Sequence, residues 1–443
     1  MAMPAGLRQA AIGLVVGVVV LSLTGLPGVA MGQGQEAPRA DAIRLFLDCS
    51  WCDTTFLRSD ITFVNHVRDP KDADVHLMVT TRDTGGGGTE YTLEFIGLKA
   101  FADTATRLRY FAKESDSSDV TRRGLSQLIK LGLARYVAAT PLASELKIVH
   151  ERKSAAGAAA PARDPWNYWV YRASFSTYQS GERSQSSGST SASISANRVT
   201  EAWKFTSRVS GSYGQSTYEL GDGEQYVSIT RNYSASTLLV KALSPHWSFG
   251  GHVSATSSTY RNQDFAMRAA PAIEYNIYPY SESTRRQLTF NYTVGVSHFN
   301  YDQETIFDRM AETRLDQAFN AYLDLRQPWG TSNTSFRFTH LLDDLGKNST
   351  SVDHWMNVRL FKGFSFNAGG GVSRIHDQLY LPKRGASDEE ILVRRRQLAT
   401  SYSYFFMGGF SYTFGSIYNN VVNSRFDGSG LGSVGGTTIS ISY

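Results

Sequence analysis

The sequence lacks the features of a helical membrane protein and of a nucleic-acid binder. Its 443 residues have a mean hydropathy of −0.28, which excludes a bundle of membrane-spanning helices. Lys and Arg number 44 against 40 Asp and Glu, so a net charge of only +4 gives no reason to expect nucleic acid as a partner. What the chain has in quantity is 23 Tyr, 24 Phe and 39 Gly, a composition suited to β-sheets.

The amino-terminal segment has the pattern of a secretory signal peptide. Arg8 supplies a positive charge, residues 10–23 form an apolar core, and small residues near Ala30 and Gly32 offer cleavage sites. The apolar run is shorter than the roughly 20 residues that a spanning helix needs. Export and removal of residues 1–32 is therefore favoured over a single membrane anchor, and the mature chain is expected outside the cytoplasm.

Cysteine is nearly absent, and the two that occur, Cys49 and Cys52, are separated by two residues. In an oxidising compartment this spacing favours a local disulfide. A thioredoxin-like redox pair is the alternative, because such a motif can follow a strand and open a helix. No further Cys or His pair stands nearby to complete a tetrahedral site, so neither a metal nor another cofactor is predicted.

Residues 41–150 are predicted to form a small α/β domain, and residues 151–165, rich in Ala, Gly, Pro and charge, a linker. Glycines 85–88 are interpreted as a hairpin turn, because a strand follows them where a phosphate-binding loop would need Lys and a helix. The long helix is expected to be capped by Ser118 or Asp119. Strands are predicted at 43–48, 61–67, 73–81, 90–97 and 145–150, and helices at 53–60 and 118–140.

This element order, with the strings ADVHLMVT (73–80) and LGLARYVA (131–138), resembles the amino-terminal domain of TolB-type and curli-secretion proteins. The resemblance covers roughly residues 43–150. It implies a docking module for a protein partner in the periplasm.

From Trp166 onward, apolar and polar residues alternate with a period of two. Short connections alternate with longer polar ones, which is typical of an antiparallel barrel that crosses an outer membrane. We therefore predict an all-β transmembrane barrel of twelve antiparallel strands over residues 166–414. A soluble β-sandwich is the competing interpretation. The strands are expected to begin near residues 167, 190, 203, 225, 247, 265, 286, 311, 332, 350, 364 and 394.

Aromatic residues are expected at the lipid interface and on the lipid-facing wall. Each of four aromatic residues follows a short connection, which predicts a girdle at one end of the barrel: Trp203, Trp247, Trp329 and Phe364. In the last strand we expect lipid-facing side chains at Phe406, Phe410, Tyr412 and Phe414.

The alternation of the last strand resembles the β-signal read by the outer-membrane assembly machinery, which implies that machinery and outer-membrane lipid as partners. The terminal stretch 436–443 has the same register and is a rival closing strand. Residues 415–443 are therefore assigned to a tail or an extra strand.

Positions of the opposite parity would line the lumen. Salt bridges among them would fill and close a narrow barrel, whereas an excess of cations would favour anionic solutes. Both interpretations stay open. The charged candidates are Arg172, Lys204, Arg208, Arg268, Arg314, Arg326, Arg337 and Arg359 against Glu274, Asp316 and Asp324.

The sequence predicts a porin-like transport protein of a Gram-negative outer membrane, which passes or binds a small anionic solute and keeps its amino-terminal domain in the periplasm. The first alternative is a closed barrel that anchors this domain. The second is a hydrolase, since twelve-stranded outer-membrane barrels include a phospholipase that uses Ser, His and Asn. Ser297 and His298 are neighbours on one strand and point to opposite faces. They cannot form a catalytic pair, and no enzyme activity is predicted.

Overall fold

The computed structural model describes residues 38–145, 164–219, 224–384, 399–420 and 422. The predicted signal peptide, nearly all of the predicted linker and of the strand 145–150, and the rival closing strand lie outside these residues. All the elements below belong to the unit Ala40–Tyr443. No helix in the described part of the chain is long and apolar enough to span a membrane.

The first part of the chain forms a five-stranded sheet covered by two helices. The strand order is β2-β1-β3-β4-β5, with β1 parallel to β2 and β3 and the remaining pairs antiparallel. Short 3₁₀ turns occur at Lys99–Phe101 and Pro141–Ser144. The elements are β1 (Arg44–Asp48), α1 (Thr54–Asp60), β2 (Asn65–Val67), β3 (Val75–Asp83), β4 (Thr89–Gly97), β5 (Ala105–Ala112) and α2 (Ser118–Val137).

The core of this α/β domain lies between one face of the sheet and the helices. Leu77 and Phe95 from the strands pack with Leu133 and Tyr136 of α2, all fully buried. The hydroxyl of Tyr136 donates to the Phe95 carbonyl at 3.0 Å. Gly132 allows this close approach, because a Cβ there would overlap the Phe95 ring.

Three local predictions for this domain were inaccurate. Ser117 caps α2 by accepting from the Val120 N–H at 3.3 Å, in place of Ser118 or Asp119, and Asp119 pairs with Arg122 and Arg123 one turn further along the helix. The strand expected at 61–67 is limited to Asn65–Val67. Strand β5 was missed, because its arginines make it look like a solvated segment, whereas Arg107 and Arg109 pair with glutamates of β4.

The second part of the chain is a twelve-stranded antiparallel sheet in which each strand pairs with the next along the chain. The predicted order of an α/β part followed by an all-β part, and the predicted number of twelve antiparallel strands, are confirmed. The strands are β6 (Trp169–Gly181), β7 (Gln185–Val199), β8 (Trp203–Glu219), β9 (Gln225–Ala242), β10 (Trp247–Ser258), β11 (Gln263–Asn276), β12 (Arg286–Tyr301), β13 (Ala311–Gln327), β14 (Gly330–Leu341), β15 (Asn348–Phe361), β16 (Phe364–Ile375) and β17 (Tyr402–Tyr412).

Two strand boundaries differ clearly from the prediction. Strand β7 begins at Gln185, five residues before the predicted start near 190, because the Ser-rich residues 186–189 pair one by one with β6. Strand β17 begins at Tyr402, not near 394.

The two ends of the large sheet differ. At one end, here called the turn end, the connections before β8, β10, β14 and β16 have two to four residues. The other, the loop end, carries the connections 302–310 and 376–401, which contact each other through the Thr305–Pro382 bridge. Within the described residues, the end strands β6 and β17 are not hydrogen-bonded to each other.

Candidate functional site

The pairing register divides the large sheet into two faces, because directly opposed residues of neighbouring strands point to the same side. One face, here called the apolar face, carries exposed large side chains on most strands, among them Phe175, Val209, Phe249, Ile273, Val294 and Phe410. The other, the polar face, is built mainly from Ser, Thr, Asn and Arg. It is the face that holds Arg208 and Ser254.

Four arginines of the polar face lie on one continuous line of opposed residues. We call Arg172, Arg208, Arg268 and Arg314 the arginine row. The line crosses eight strands and has one or two serines between successive arginines, in the order Arg172, Ser195, Arg208, Ser236, Ser254, Arg268, Ser297 and Arg314.

The arginine row also runs from one end of the sheet to the other. Arg172 is the fourth residue of β6, which starts at the turn end, and Arg314 is the fourth residue of β13, which starts at the loop end. Lines of opposed residues cross strands at right angles, and strands in barrels are tilted. The row therefore climbs the polar face in steps of two or three strands.

Part of the predicted cationic set is neutralised within the sheet. Arg268 donates to Asp316 at 2.6 Å, and the Ser297 hydroxyl donates to the same carboxylate at 2.6 Å. Arg314 pairs with Glu312 at 2.7 Å and with Asp343 of a loop at 2.5 Å. A longer pair of 3.5 Å joins Arg326 to Asp324, and Glu274 accepts from Tyr280 at 2.9 Å.

Three cations of the set have no carboxylate within ion-pair distance in the described part of the chain: Lys204, Arg208 and Arg337. Arg208 donates to the Ser193 hydroxyl at 3.0 Å, a neutral partner on the same face. These groups are the ones available to an anionic ligand.

Sequence reasoning missed two acids of the polar face. Glu312 stands two residues before Arg314 on β13, and Asp353 opposes Ser335 and Gly371. The alternation along each strand could have identified both acids. Glu312 is an even number of residues from Arg314, and Asp353 from Arg359, and both arginines were already predicted to face the lumen. Trp355, an aromatic residue, has the same parity as Asp353 and lies on the same face. The ring of Trp355 lies over Gly369 and 5.7 Å from the Phe405 ring, so the polar face also has an aromatic patch.

The predicted girdle residues lie near the turn end. Trp203 and Trp247 begin β8 and β10 on the apolar face, Trp329 lies in the β13–β14 turn and Phe364 begins β16. The Lys241 ammonium lies 5.4 Å from the centre of the Trp203 ring. On β17, Tyr412, Phe410 and Phe406 lie on the apolar face. They stand opposite Phe364, Phe366 and Gly370 of β16, respectively. Phe414 follows the strand and its ring lies 5.7 Å from that of Tyr412.

The α/β domain contacts the turn end through a set of charged pairs, here called the basal interface. In every ion pair that joins described residues across this interface, the acid belongs to the domain and the base to the large sheet or its turns. Asp69 also accepts from the Gly363 N–H at 2.5 Å. The pairs are Asp48–Arg359 (2.8 Å), Asp72–Lys362 (2.6 Å), Glu94–Arg285 (3.2 Å) and Glu114–Arg172.

Two of these bases, Arg172 and Arg359, belong to the polar face. The hairpin between β3 and β4 lies against the same face. A Cβ on Gly86 would stand 3.8 Å from Val170, and a Cβ on Gly85 would overlap Val199. A Cβ on Gly88 would likewise overlap the Ala112 carbonyl, so Gly85 and Gly88 have a steric reason to be glycine, whereas Gly86 has room for a side chain.

The domain also holds the chain that follows β17. The Asn419 N–H donates to the His66 carbonyl at 2.8 Å, and Arg68 N–H donates to the Ile417 carbonyl at 3.1 Å. Both end strands of the large sheet are thus anchored on one small domain, β6 through Arg172 and β17 through residues 417–420.

The charge of Asp48 depends on its partners. Burial raises its pKa, but hydrogen bonds from His76 at 3.1 Å and from Arg359 outweigh this effect, so the pKa lies below the usual value. Asp48 precedes Cys49, which is joined to Cys52 by a disulfide.

Ser297 and His298 point to opposite faces. Ser297 donates to Asp316 on the polar face, whereas a ring nitrogen of His298 is hydrogen-bonded to Thr313 at 2.7 Å on the apolar face. No group of three or more His, Cys, Asp or Glu residues suited to a metal ion occurs among the residues that the structure describes.

No family model and no curated protein matches the chain. Among solved structures, the NanC porin is 9% identical with a TM-score of 0.26 and covers 55% of this chain and 99% of its own. CdiB from Acinetobacter baumannii is 8% identical, with a TM-score of 0.26, and covers 84% of this chain and 74% of its own.

Proposed function

We propose that this chain forms an outer-membrane β-barrel that passes small anionic solutes and carries its α/β domain on the periplasmic side. The observation that carries the proposal is the arginine row on the polar face. In a barrel this face lines the lumen, and cationic side chains at a constriction favour anions. The arginine row gives a solute successive binding positions, because each arginine lies two or three strands from the next.

The apolar face supports a lipid environment. Its exposed side chains are aromatic and aliphatic, and tryptophans lie near the turn end, where a membrane interface favours them. Unpaired backbone groups are costly in hydrocarbon. The proposal therefore requires β6 and β17 to pair with each other in the membrane, so that the sheet has no free edge. The assembly machinery and lipid are the partners that such a barrel needs.

The charge balance of the polar face supports anions over cations. Eight bases stand against five acids, once Glu312 and Asp353 are included with the predicted set. Lys204, Arg208 and Arg337 lack an acid partner among the described residues, so the surplus is located on identifiable side chains.

The test is single-channel conductance and reversal potential of the refolded full chain in a planar bilayer under a salt gradient. Arg208→Gln should lower anion selectivity several-fold, because it interrupts the arginine row at its unpaired member. Arg374→Gln is the matched control, since it removes the same charge from the apolar face of β16. A cation-selective pore, or equal effects of both substitutions, would contradict the proposal.

A closed barrel that anchors the domain is the second candidate, favoured by the basal interface that occupies the turn end. It predicts no conductance from the full chain and none from a chain that lacks the α/β domain. A periplasmic protein partner would then be sought on the free side of the domain, where Trp51 is 80% exposed.

A further inference from the structure

We infer that the α/β domain is an autoinhibitory plug, held in the turn end of the barrel by carboxylates that occupy the same arginines an anionic solute would use. This inference rests on the proposed function and adds its regulation. It is carried by the basal interface and by the position of the glycine hairpin.

The charges across the basal interface are fully complementary. Four acids of the domain meet four bases of the large sheet, and the reverse arrangement does not occur among the described residues. Asp48 and Arg359 form two parallel hydrogen bonds of 2.8 Å each, a geometry that fixes orientation as well as distance. This geometry favours a single docked orientation of the domain, and the strength of docking depends on the charges of these residues.

Two of the four bases are lumen bases. Glu114 neutralises Arg172, the first member of the arginine row, and Asp48 neutralises Arg359 on the polar face of β15. A carboxylate is itself a small anionic group. The domain's acids therefore stand where the proposed solute would stand at this end of the lumen, and the two compete for the same guanidinium groups.

The hairpin of Gly85–Gly88 extends the obstruction past the interface. It lies against Val170 and Val199, two polar-face residues near the turn end of β6 and β7. A solute leaving along the arginine row through Arg172 would meet the hairpin and Glu114 together.

The experiment records the open fraction of the full chain in planar bilayers. Asp48→Asn with Glu114→Gln removes the two acids and leaves every lumen arginine intact. The open fraction should rise about tenfold at unchanged single-channel conductance and anion selectivity, since each lost charged contact weakens docking a few-fold. The control is Asp103→Asn with Asp119→Asn, which removes two domain acids that have no partner in the large sheet among the described residues.

A covalent lock provides a second measurement. Gly86→Cys with Val170→Cys should form a disulfide that holds the hairpin against the wall. The oxidised protein should be closed and a reductant should open it, whereas wild type given the same reductant controls for loss of the Cys49–Cys52 bond. Sulfate on the domain side, at constant ionic strength, should raise the open fraction of wild type by competing for Arg172 and Arg359.

The outcomes separate the two proposals. If the locked protein conducts like wild type, or if the Asp48 and Glu114 substitutions leave the open fraction unchanged, the plug is wrong while an anion-selective pore survives. If no protein shows anion-selective conductance, including the reduced lock, the proposed function fails and the plug with it.

Discussion

Asp48 and Arg359 are 311 positions apart in the chain and form a two-bonded ion pair between the α/β domain and the large sheet. Both side chains are mostly buried, at 18% and 28% exposure. His76 binds the same carboxylate from within the domain, so one acid ties β1, β3 and β15 together.

Asp48→Asn is expected to weaken the docking of the domain by about 1 kcal/mol at neutral pH, because the charge is lost but the amide oxygen can still accept a hydrogen bond from Arg359. The lowered pKa of Asp48 sets the pH dependence. A carboxyl with a lowered folded-state pKa contributes fully above its ordinary value of about 3.9 and loses that contribution as the pH falls through the folded-state value.

The measurement is protease accessibility of the domain in the full chain from pH 7 downward, until the pH lies below the folded-state pKa of Asp48. Wild type should be the better protected at neutral pH and should converge with Asp48→Asn in acid. Equal protection at pH 7 would show that the pair does not hold the domain.

Phe410→Ser with Phe414→Ser should impair membrane assembly and leave the α/β domain folded, because two polar groups would replace exposed rings on the face that we propose contacts lipid. Heat-modifiable migration in electrophoresis reports assembly. Ser403→Thr, on the polar face of the same strand, is the control and should assemble normally. Normal migration of the double variant would refute the assignment of this face to lipid.

Cys49→Ser with Cys52→Ser should lower the stability of the α/β domain by about 2 kcal/mol, the chain-entropy value for so short a loop. Hydrogen exchange in the full chain locates the effect: amides of β1 and β3 should exchange faster, whereas those of β12 and β13 should not change. Unchanged exchange throughout the domain would show that the disulfide has no stabilising role.

The sequence predicted the strands and the face to which each side chain points, but it did not predict which residues of distant strands are aligned. Period-two alternation located eleven of the twelve strands to within about five residues, since a side chain's face follows directly from its parity. Parity also placed Arg208 and Arg268 on one face. It could not align them into a row, because the register between strands depends on turn geometry that no single strand encodes.

The docking of the domain was beyond sequence reasoning for a different reason. Nothing in the sequence distinguishes Asp48, Asp72 and Glu114 from other acids. Their basic partners lie in two distant segments, one on β6 and the other at the end of β15 and its following turn. Only the folded chain brings them together. The sequence around Asp48, which precedes Cys49, and around Asp72, which lies in a loop, does not indicate which bases they pair with.

Asp316→Asn is expected to increase anion selectivity, because it would leave Arg268, the third member of the arginine row, without its carboxylate partner. The amide oxygen can still accept from Ser297 or Arg268, so the wall should keep its shape while the lumen gains one positive charge. Reversal potentials in a salt gradient measure the effect, with Asp308→Asn in a loop as the control of equal charge. A shift for Asp308→Asn as large as that for Asp316→Asn would show that total charge, and not the arginine row, sets selectivity. A shift toward cations in Asp316→Asn would contradict a solute path along Arg268.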